Sequence, residues 1–286
     1  MPIESVSDTA RWVAVYRAME TERPDAIFRD PFARRLAGTK GEEIVDGVRR
    51  GRAMAWAMIV RTAVFDELIL NAIRADAVTL VVNLAAGLDT RPWRLSLLPA
   101  IQWVDVDLPG ILSYKTDALR DERPVCQYEA IHADLTSTAE RREMFARLGA
   151  KERRAMVVTE GLLIYLSEAD VGALAADLAA QPSFAWWAID IASPRLLKWM
   201  SRSWGKATEQ GNAPFRFAPD SGTGFFESFG WREREFRSSV EEAHRLKREA
   251  RLGWMWRLVD RMQAPKRREE TRRMAGVALL ERIAPA

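Results

Sequence analysis

Short apolar runs recur from residue 78 onward, each separated from the next by a polar or amphipathic stretch. VTLVVNLA (78–85), IQWVDV (101–106), QYEAIH (127–132), AMVVTE (155–160) and FAWWAID (184–190) have the length and the β-branched or aromatic content of strands. Between them, ILSYKTDALRDE, AERREMFARLGA and EADVGALAADLAAQ repeat apolar residues every three or four positions, the period of a helix. The alternation predicts an α/β fold, a doubly wound parallel sheet with helices on both faces, since right-handed crossovers cover both sides. Ligands in such a sheet sit above the carboxyl ends of the strands.

Residues 1–76 read as a helical cap. In SDTARWVAVYRAM, Ser7, Asp8 or Thr9 can cap an amphipathic helix. RDPFARRLAG makes a short helix with Pro31 near its start and Gly38 at its end, and AMAWAMIVRTAVFDELILNAI makes a longer one. Beyond 192 the rhythm breaks. Segment 193–230 looks irregular, punctuated by Gly205, Gly211, Pro214, Pro219, Gly222 and Gly224. WREREF (231–236) and GVALLERI (276–283) predict two final strands, for about seven in all, with a charged insert at 237–275 between them. No repeat or low-complexity linker interrupts the chain. The expectation is one domain over 1–286, with a core at 77–192 and a lid built from 193–230 and 237–275.

Charge and composition narrow the classes. The 43 basic and 40 acidic residues are mixed along the chain and leave a net charge of +3, too little to argue for a nucleic-acid partner. A single cysteine, Cys126, excludes an intrachain disulfide and a thiolate zinc site, and His132 and His244 are too few and too far apart for a histidine metal centre. The opening MPIESVSDTARW lacks the basic-then-apolar pattern of a signal peptide, and no apolar run approaches membrane-spanning length. A cytoplasmic protein without a membrane partner is expected.

Candidate chemistry begins where the first strand ends. Strand 78–85 delivers Ala85-Ala86-Gly87 to the top of the sheet, where Gly87 allows close approach to the backbone and a positive φ. Asp89 and Thr90 can cap the next helix, with Pro92 in its first turn. A turn with a cap would explain this stretch alone. Asp105 and Asp107, about twenty residues on, add a carboxylate at the end of the second strand, where ribose hydroxyls are held in such folds. A dinucleotide wants G-x-G-x-x-G for its pyrophosphate, and the corresponding positions here are Ala85, Gly87 and Thr90. That disfavours a nicotinamide cofactor. S-adenosylmethionine carries adenosine without a pyrophosphate, so one close-approach glycine can suffice.

NLAAGLDTR, WVDVDLP followed by Lys115, and TEGLLIYL resemble the leucine carboxyl methyltransferase family of S-adenosylmethionine-dependent enzymes. TARWVAVYRAMET and FRDPFARRL resemble its N-terminal segment, so the similarity runs over roughly residues 8–170. The resemblance implies a Rossmann-like methyltransferase sheet and roles for particular residues. Arg61 matches the arginine that holds the cofactor's carboxylate, and Arg17 falls near a second basic residue that reaches the cofactor. Ala85 and Gly87 lie under the methionine part, Asp107 with Asp105 holds the ribose, and Asp134 and Leu135 match the pair at the adenine. Glu160 faces the cofactor's amino group or the reaction cavity. Two departures stand out: alanine at 85, where relatives usually have glycine, and aspartate at 105, where they often have glutamate.

The family includes polyketide carboxyl methyltransferases, so the resemblance implies esterification of a small-molecule carboxylate, aromatic or polyketide acids among them. A carboxylate is ionised at neutral pH and needs no general base, which fits motifs without histidine. A phenol would want one. Glu160 and Tyr165 are the candidates for it, so hydroxyl methylation stays open, as do an NAD(P)-dependent oxidoreductase and a non-catalytic cofactor-binding protein. Trp186, Trp187, Trp199, Trp204, Trp254 and Trp256 read either as an aromatic lid over a flat acid or as core.

Overall fold

The computed structural model describes residues 6–47, 51–150, 154–210, 214–249 and 264–283. In chain order the main elements are α1 (Val6–Thr21), α2 (Ala33–Gly47), α3 (Ala55–Ala75), β1 (Leu80–Leu84), α4 (Arg91–Arg94), β2 (Gln102–Asp107), α5 (Pro109–Ala118) and β3 (Gln127–His132). They continue with α6 (Thr138–Gly149), β4 (Ala155–Thr159), α7 (Glu168–Ala179), β5 (Phe184–Ala192), α8 (Pro194–Gln210), β6 (Trp231–Ser238), α9 (Ser239–Arg245), α10 (Pro265–Arg272) and β7 (Ala275–Arg282). The seven strands form one sheet in the order β3-β2-β1-β4-β5-β7-β6. β1 to β5 pair in parallel, whereas β7 runs antiparallel between β5 and β6.

The order reverses at β1, the central position from which the chain winds outward in both directions. Alternation along β1 feeds both faces. Leu80, Val82 and Leu84 pack with Phe145, Leu174 and Leu178 from α6 and α7, while Val81 packs with Val64, Leu68 and Ile69 of α3. All five β1 residues are buried, as a strand covered on both sides requires. A third apolar cluster joins α1 and α2 through Val15, Tyr16, Leu36 and Val45, and so seats the N-terminal helices over the top of the sheet.

Three sequence expectations change. Segment 193–230 opens with a helix, α8, because LLKW and its neighbours recur at helical spacing before the first glycine. α2 continues past Gly38, which sits at φ 60° as a kink between two helical pieces. The insert is split: β6 runs on to Ser238, α9 and α10 occupy its two ends, and Trp254 and Trp256 lie outside the described residues.

Candidate active site

A cavity of about 640 Å³ opens over the carboxyl ends of the parallel strands, roofed by α1, the start of α3 and the first turns of α8. Its volume falls in the range of roughly 300–1,000 Å³ usual for small-molecule sites. Most of the residues singled out from the sequence line it: Arg17, Arg61, Ala85, Gly87, Asp107, Asp134, Leu135, Glu160 and Tyr165.

The loop after β1 turns sharply at two points. Gly87 has φ 51°, as its position in the turn suggested, and Ala85 is held at φ 53°, a region an L-residue with a Cβ enters at a cost of about 1–2 kcal/mol. An alanine stands where this turn favours glycine. Asp107 fixes the loop from the neighbouring strand, its Oδ2 accepting from the Gly87 N–H at 2.6 Å and its Oδ1 from the Leu108 N–H at 2.7 Å. Burial pushes its carboxyl above the ordinary value, against the pull of those two N–H groups.

Asp105 does not share that site. It is fully buried beneath the cavity, where the Lys115 ammonium donates to Oδ2 at 2.7 Å and the Trp103 and Asn83 side chains donate to Oδ1 at 2.8 and 3.1 Å. Lys115 is fully buried as well. Three donors absorb this carboxylate, so the WVDVDLP motif contains one aspartate of the cavity and one of the core. The expectation that Asp105 lies beside Asp107 in the cavity is therefore corrected: its side chain is buried in the core.

Behind the loop lies a lattice of arginines and carboxylates. Arg91, 2% exposed, reaches Asp66 at 2.6 Å, Asp89 at 2.7 Å and Glu160 at 2.8 Å, and Arg94 takes the other oxygen of Asp66 at 2.6 Å. Arg61 bridges Glu160 at 3.1 Å and Asp190 at 3.0 Å, and Asp190 in turn accepts from the Gly161 N–H at 2.7 Å. Burial works to raise the Asp89 carboxyl, but Arg91 and then Arg94 outweigh it and hold it down to about 2. Glu160 is likewise held below its usual range, because Arg91 and Arg61 outweigh its burial. With both oxygens engaged by guanidinium groups, Glu160 is a poor proton acceptor, which counts against a general-base role. Arg17 is spent too: it donates to Asp30 at 2.8 Å and to the Leu88 carbonyl at 2.6 Å, tying α1 to the glycine loop. Asp89 accepts from the Arg91 N–H at 2.8 Å in an Asx turn ahead of α4, and Thr90, the N-cap residue, makes no side-chain cap, its hydroxyl donating to Asp30 at 2.7 Å instead.

Asp134 folds back in an Asx turn, its Oδ1 accepting from the N–H and hydroxyl of Thr136 at 2.9 and 2.8 Å, with Leu135 beside it in the cavity wall. The Tyr165 hydroxyl is driven above its ordinary pKa by burial, against a hydrogen bond with Thr9, and so stays protonated. Trp186 and Trp187 are core residues, 2% and 0% exposed, rather than a lid. Trp199 does line the cavity, as do Trp12 and Trp56, which the sequence pattern did not single out. Asp30, Asp66, Asn83, Arg91, Arg94 and Asp190 were also missed; Arg91 and Arg94 lie in the DTRPWR continuation of the β1 motif, the one available signal.

Two buried polar atoms of residues lining the floor, Thr62 Oγ1 and Arg94 Nε, lack a protein hydrogen-bond partner among the described residues. Buried polar groups are rarely left so, and a polar ligand suits this floor. The cavity offers two carboxylates, Asp107 and Asp134, and the guanidinium of Arg61, groups whose chemistry fits the polar parts of a nucleoside that carries an amino-acid head group.

A seven-stranded sheet in this order, with β7 antiparallel, is the Rossmann-like fold typical of S-adenosylmethionine-dependent methyltransferases. A solved Thermobifida fusca protein, provisionally named a methyltransferase, shares the fold with TM-score 0.60 at 12% identity, over 99% of this chain and 97% of its own. A Streptomyces avermitilis protein of the duf574 family does so with TM-score 0.56 at 15% identity, covering 94% and 96%. The leucine carboxyl methyltransferase family matches residues 10–179, and the chain belongs to that family. A Streptomyces coelicolor protein provisionally named an S-adenosyl-L-methionine-dependent methyltransferase is 37% identical over 187 residues, 60% of this chain and 64% of its own length. A Mycobacterium marinum protein of the same provisional name is 34% identical over 217 residues, 68% and 67% of the two chains. The match thus spans just under two thirds of the Streptomyces relative. No helix among the described residues is long and apolar enough to cross a membrane.

Proposed function

We propose that the protein transfers a methyl group from S-adenosylmethionine to an oxygen of a small-molecule acceptor, and that this oxygen belongs to a carboxylate. In this reading Asp107 accepts from the ribose hydroxyls, Asp134 and Leu135 face the adenine, and the backbone at Ala85 and Gly87 lies under the methionine portion. Arg61 is the partner of the cofactor's carboxylate, and Glu160 and Asp190, which it already bridges, stand ready for the ammonium. When bound, the cofactor supplies a sulfonium-activated methyl group. The residues of the chain bind, orient and exclude water, and good orientation of two reactants is worth about 7–11 kcal/mol of barrier.

The observation that carries the carboxylate over the phenol is the state of Glu160. The carboxylate best placed to take a proton is pinned by two guanidinium groups and held ionised, and among the described residues no histidine lines the cavity. A carboxylate acceptor needs no proton taken from it at neutral pH; a phenol does. The missing glycines and the family membership both weigh against a nicotinamide cofactor.

Calorimetric titration with S-adenosylmethionine, S-adenosylhomocysteine, NAD and NADP tests the cofactor, and saturable binding of the first two alone is expected. Binding of a nicotinamide nucleotide in their place would overturn the reading. A panel of carboxylic acids and matched phenols, assayed for methyl transfer, then decides the acceptor; turnover of phenols alone refutes the carboxylate.

A further inference from the structure

Away from Asp107 and Asp134 the cavity wall becomes apolar, built from Ile164, Leu196, Trp199, Met200, Phe215 and Phe217. One charged side chain interrupts it: Arg216, between the two phenylalanines. The strip carrying it is held firmly. The Arg216 and Phe217 N–H groups both donate to the Ile164 carbonyl, at 2.7 and 3.2 Å, and the Phe215 ring meets Tyr165 with centroids 5.8 Å apart. Of the arginines lining the cavity, Arg17, Arg61, Arg91 and Arg94 are all ion-paired to carboxylates of the chain. Arg216 alone among them has no ion-pair partner among the described residues, and it is exposed.

We propose that Arg216 is the counter-ion for the acceptor's carboxylate, and that the acceptor is an apolar monoanion, an aliphatic or aromatic acid whose hydrocarbon body lies along this wall. The inference rests on the methyltransferase reading and names the substrate class of the same site. A guanidinium fork matches a carboxylate through two parallel hydrogen bonds, and apolar neighbours strengthen the pairing by lowering the local dielectric. The reaction itself then separates substrate from product. A carboxylate oxygen forms the new C–O bond while the C–S bond breaks, its electron pair stays on sulfur, and no proton moves. The sulfonium becomes a neutral thioether and the carboxylate a neutral ester, so the product loses its partner on Arg216.

The probe is 8-anilinonaphthalene-1-sulfonate, an aromatic monoanion, titrated by fluorescence beside its uncharged analogue N-phenyl-1-naphthylamine on wild type and Arg216→Gln. The variant is expected to raise the Kd of the anion about fivefold, the upper end for an exposed ion pair, near 1 kcal/mol. It leaves the neutral probe and S-adenosylhomocysteine within about twofold, and Arg216→Lys recovers part of the loss. Decanoate displaces the anion from the wild type whereas its methyl ester does not. Equal loss of both probes, no loss of either, or failure of the wild type to bind the anion overturns the inference. Failure of S-adenosylhomocysteine to bind the wild type overturns the methyltransferase reading instead, and the two failures are read from separate titrations.

Discussion

The two aspartates of WVDVDLP stand two residues apart, and the structure assigns them opposite consequences when replaced. Asp105→Ala strands the Lys115 ammonium, which is fully buried and has the Asp105 carboxylate at 2.7 Å as its ion-pair partner. It also removes the acceptor of the Trp103 and Asn83 side chains. Breaking a buried pair from one side costs roughly 3–5 kcal/mol. With about 2–4 °C lost per kcal/mol in a chain of this size, Tm falls on the order of 10 °C. Asp107→Asn keeps an acceptor for the Gly87 N–H and gives up the one for the exposed Leu108 N–H, which water can satisfy, so Tm stays within about 2 °C. Its loss falls on the cofactor. A hydrogen bond to a charged group is worth about 1.5–3 kcal/mol, which predicts S-adenosylhomocysteine binding weaker by one to two orders of magnitude. Circular-dichroism melting and calorimetry on the same preparations read both quantities. The double variant Asp105→Asn with Lys115→Met is the control. It removes both charges, and a buried pair replaced as a unit is often neutral, so it recovers most of the lost Tm with cofactor affinity unchanged. If Asp105→Ala melts like the wild type yet loses cofactor affinity, Asp105 is a ligand and its structural assignment is wrong.

Ala85 at φ 53° predicts that Ala85→Gly stabilises by about 1 kcal/mol, because left-handed strain relieved exceeds the entropy glycine adds; a lower urea midpoint refutes it. Asp89, held down to about 2 from 3.8, contributes stability present above pH 3.8 and lost as pH falls through 2. That contribution is on the order of 2 kcal/mol, so urea stability of Asp89→Asn is lower at neutral pH and loses less between about pH 4 and 2 than the wild type. An identical acid slope in both proteins removes Asp89 from the account. Glu160→Gln leaves the pH dependence of kcat/KM with a carboxylic acid flat over roughly pH 6–9, as in the wild type, since no base titrates there. An ascending limb that vanishes in the variant makes Glu160 the general base.

The strands were legible in the sequence because their signal is local. In AMVVTE an apolar run too short for a helix meets polar residues at both ends, and β4, Ala155–Thr159, stops one residue short of the strand read from that pattern. Helix α8 was not legible for the opposite reason. Its sequence, PRLLKWMSRSWGKATEQ, carries a glycine at 205, and the further glycines and prolines of the segment drew the reading toward loop. Composition over a window cannot say how far a helix runs into such a stretch.

The site divides along the same line. Gly87 and Asp107 line the cavity from positions that the strand-and-turn pattern fixes, one after the end of β1 and one at the end of β2. Asp105 looked identical in type and spacing, and only its partner distinguishes it. That partner, Lys115, lies in the second turn of α5, and its presence in the motif does not say which of the two aspartates it meets. Asp66, Arg91, Arg94 and Asp190 are harder still, since their meaning is mutual: each charge is tolerable beneath the cavity only because the others are there. The lattice has a consequence for function that no single residue carries. By pairing four of the cavity's arginines with the chain's own carboxylates, it leaves Arg216, on the apolar wall, as the one cavity arginine without an ion-pair partner among the described residues.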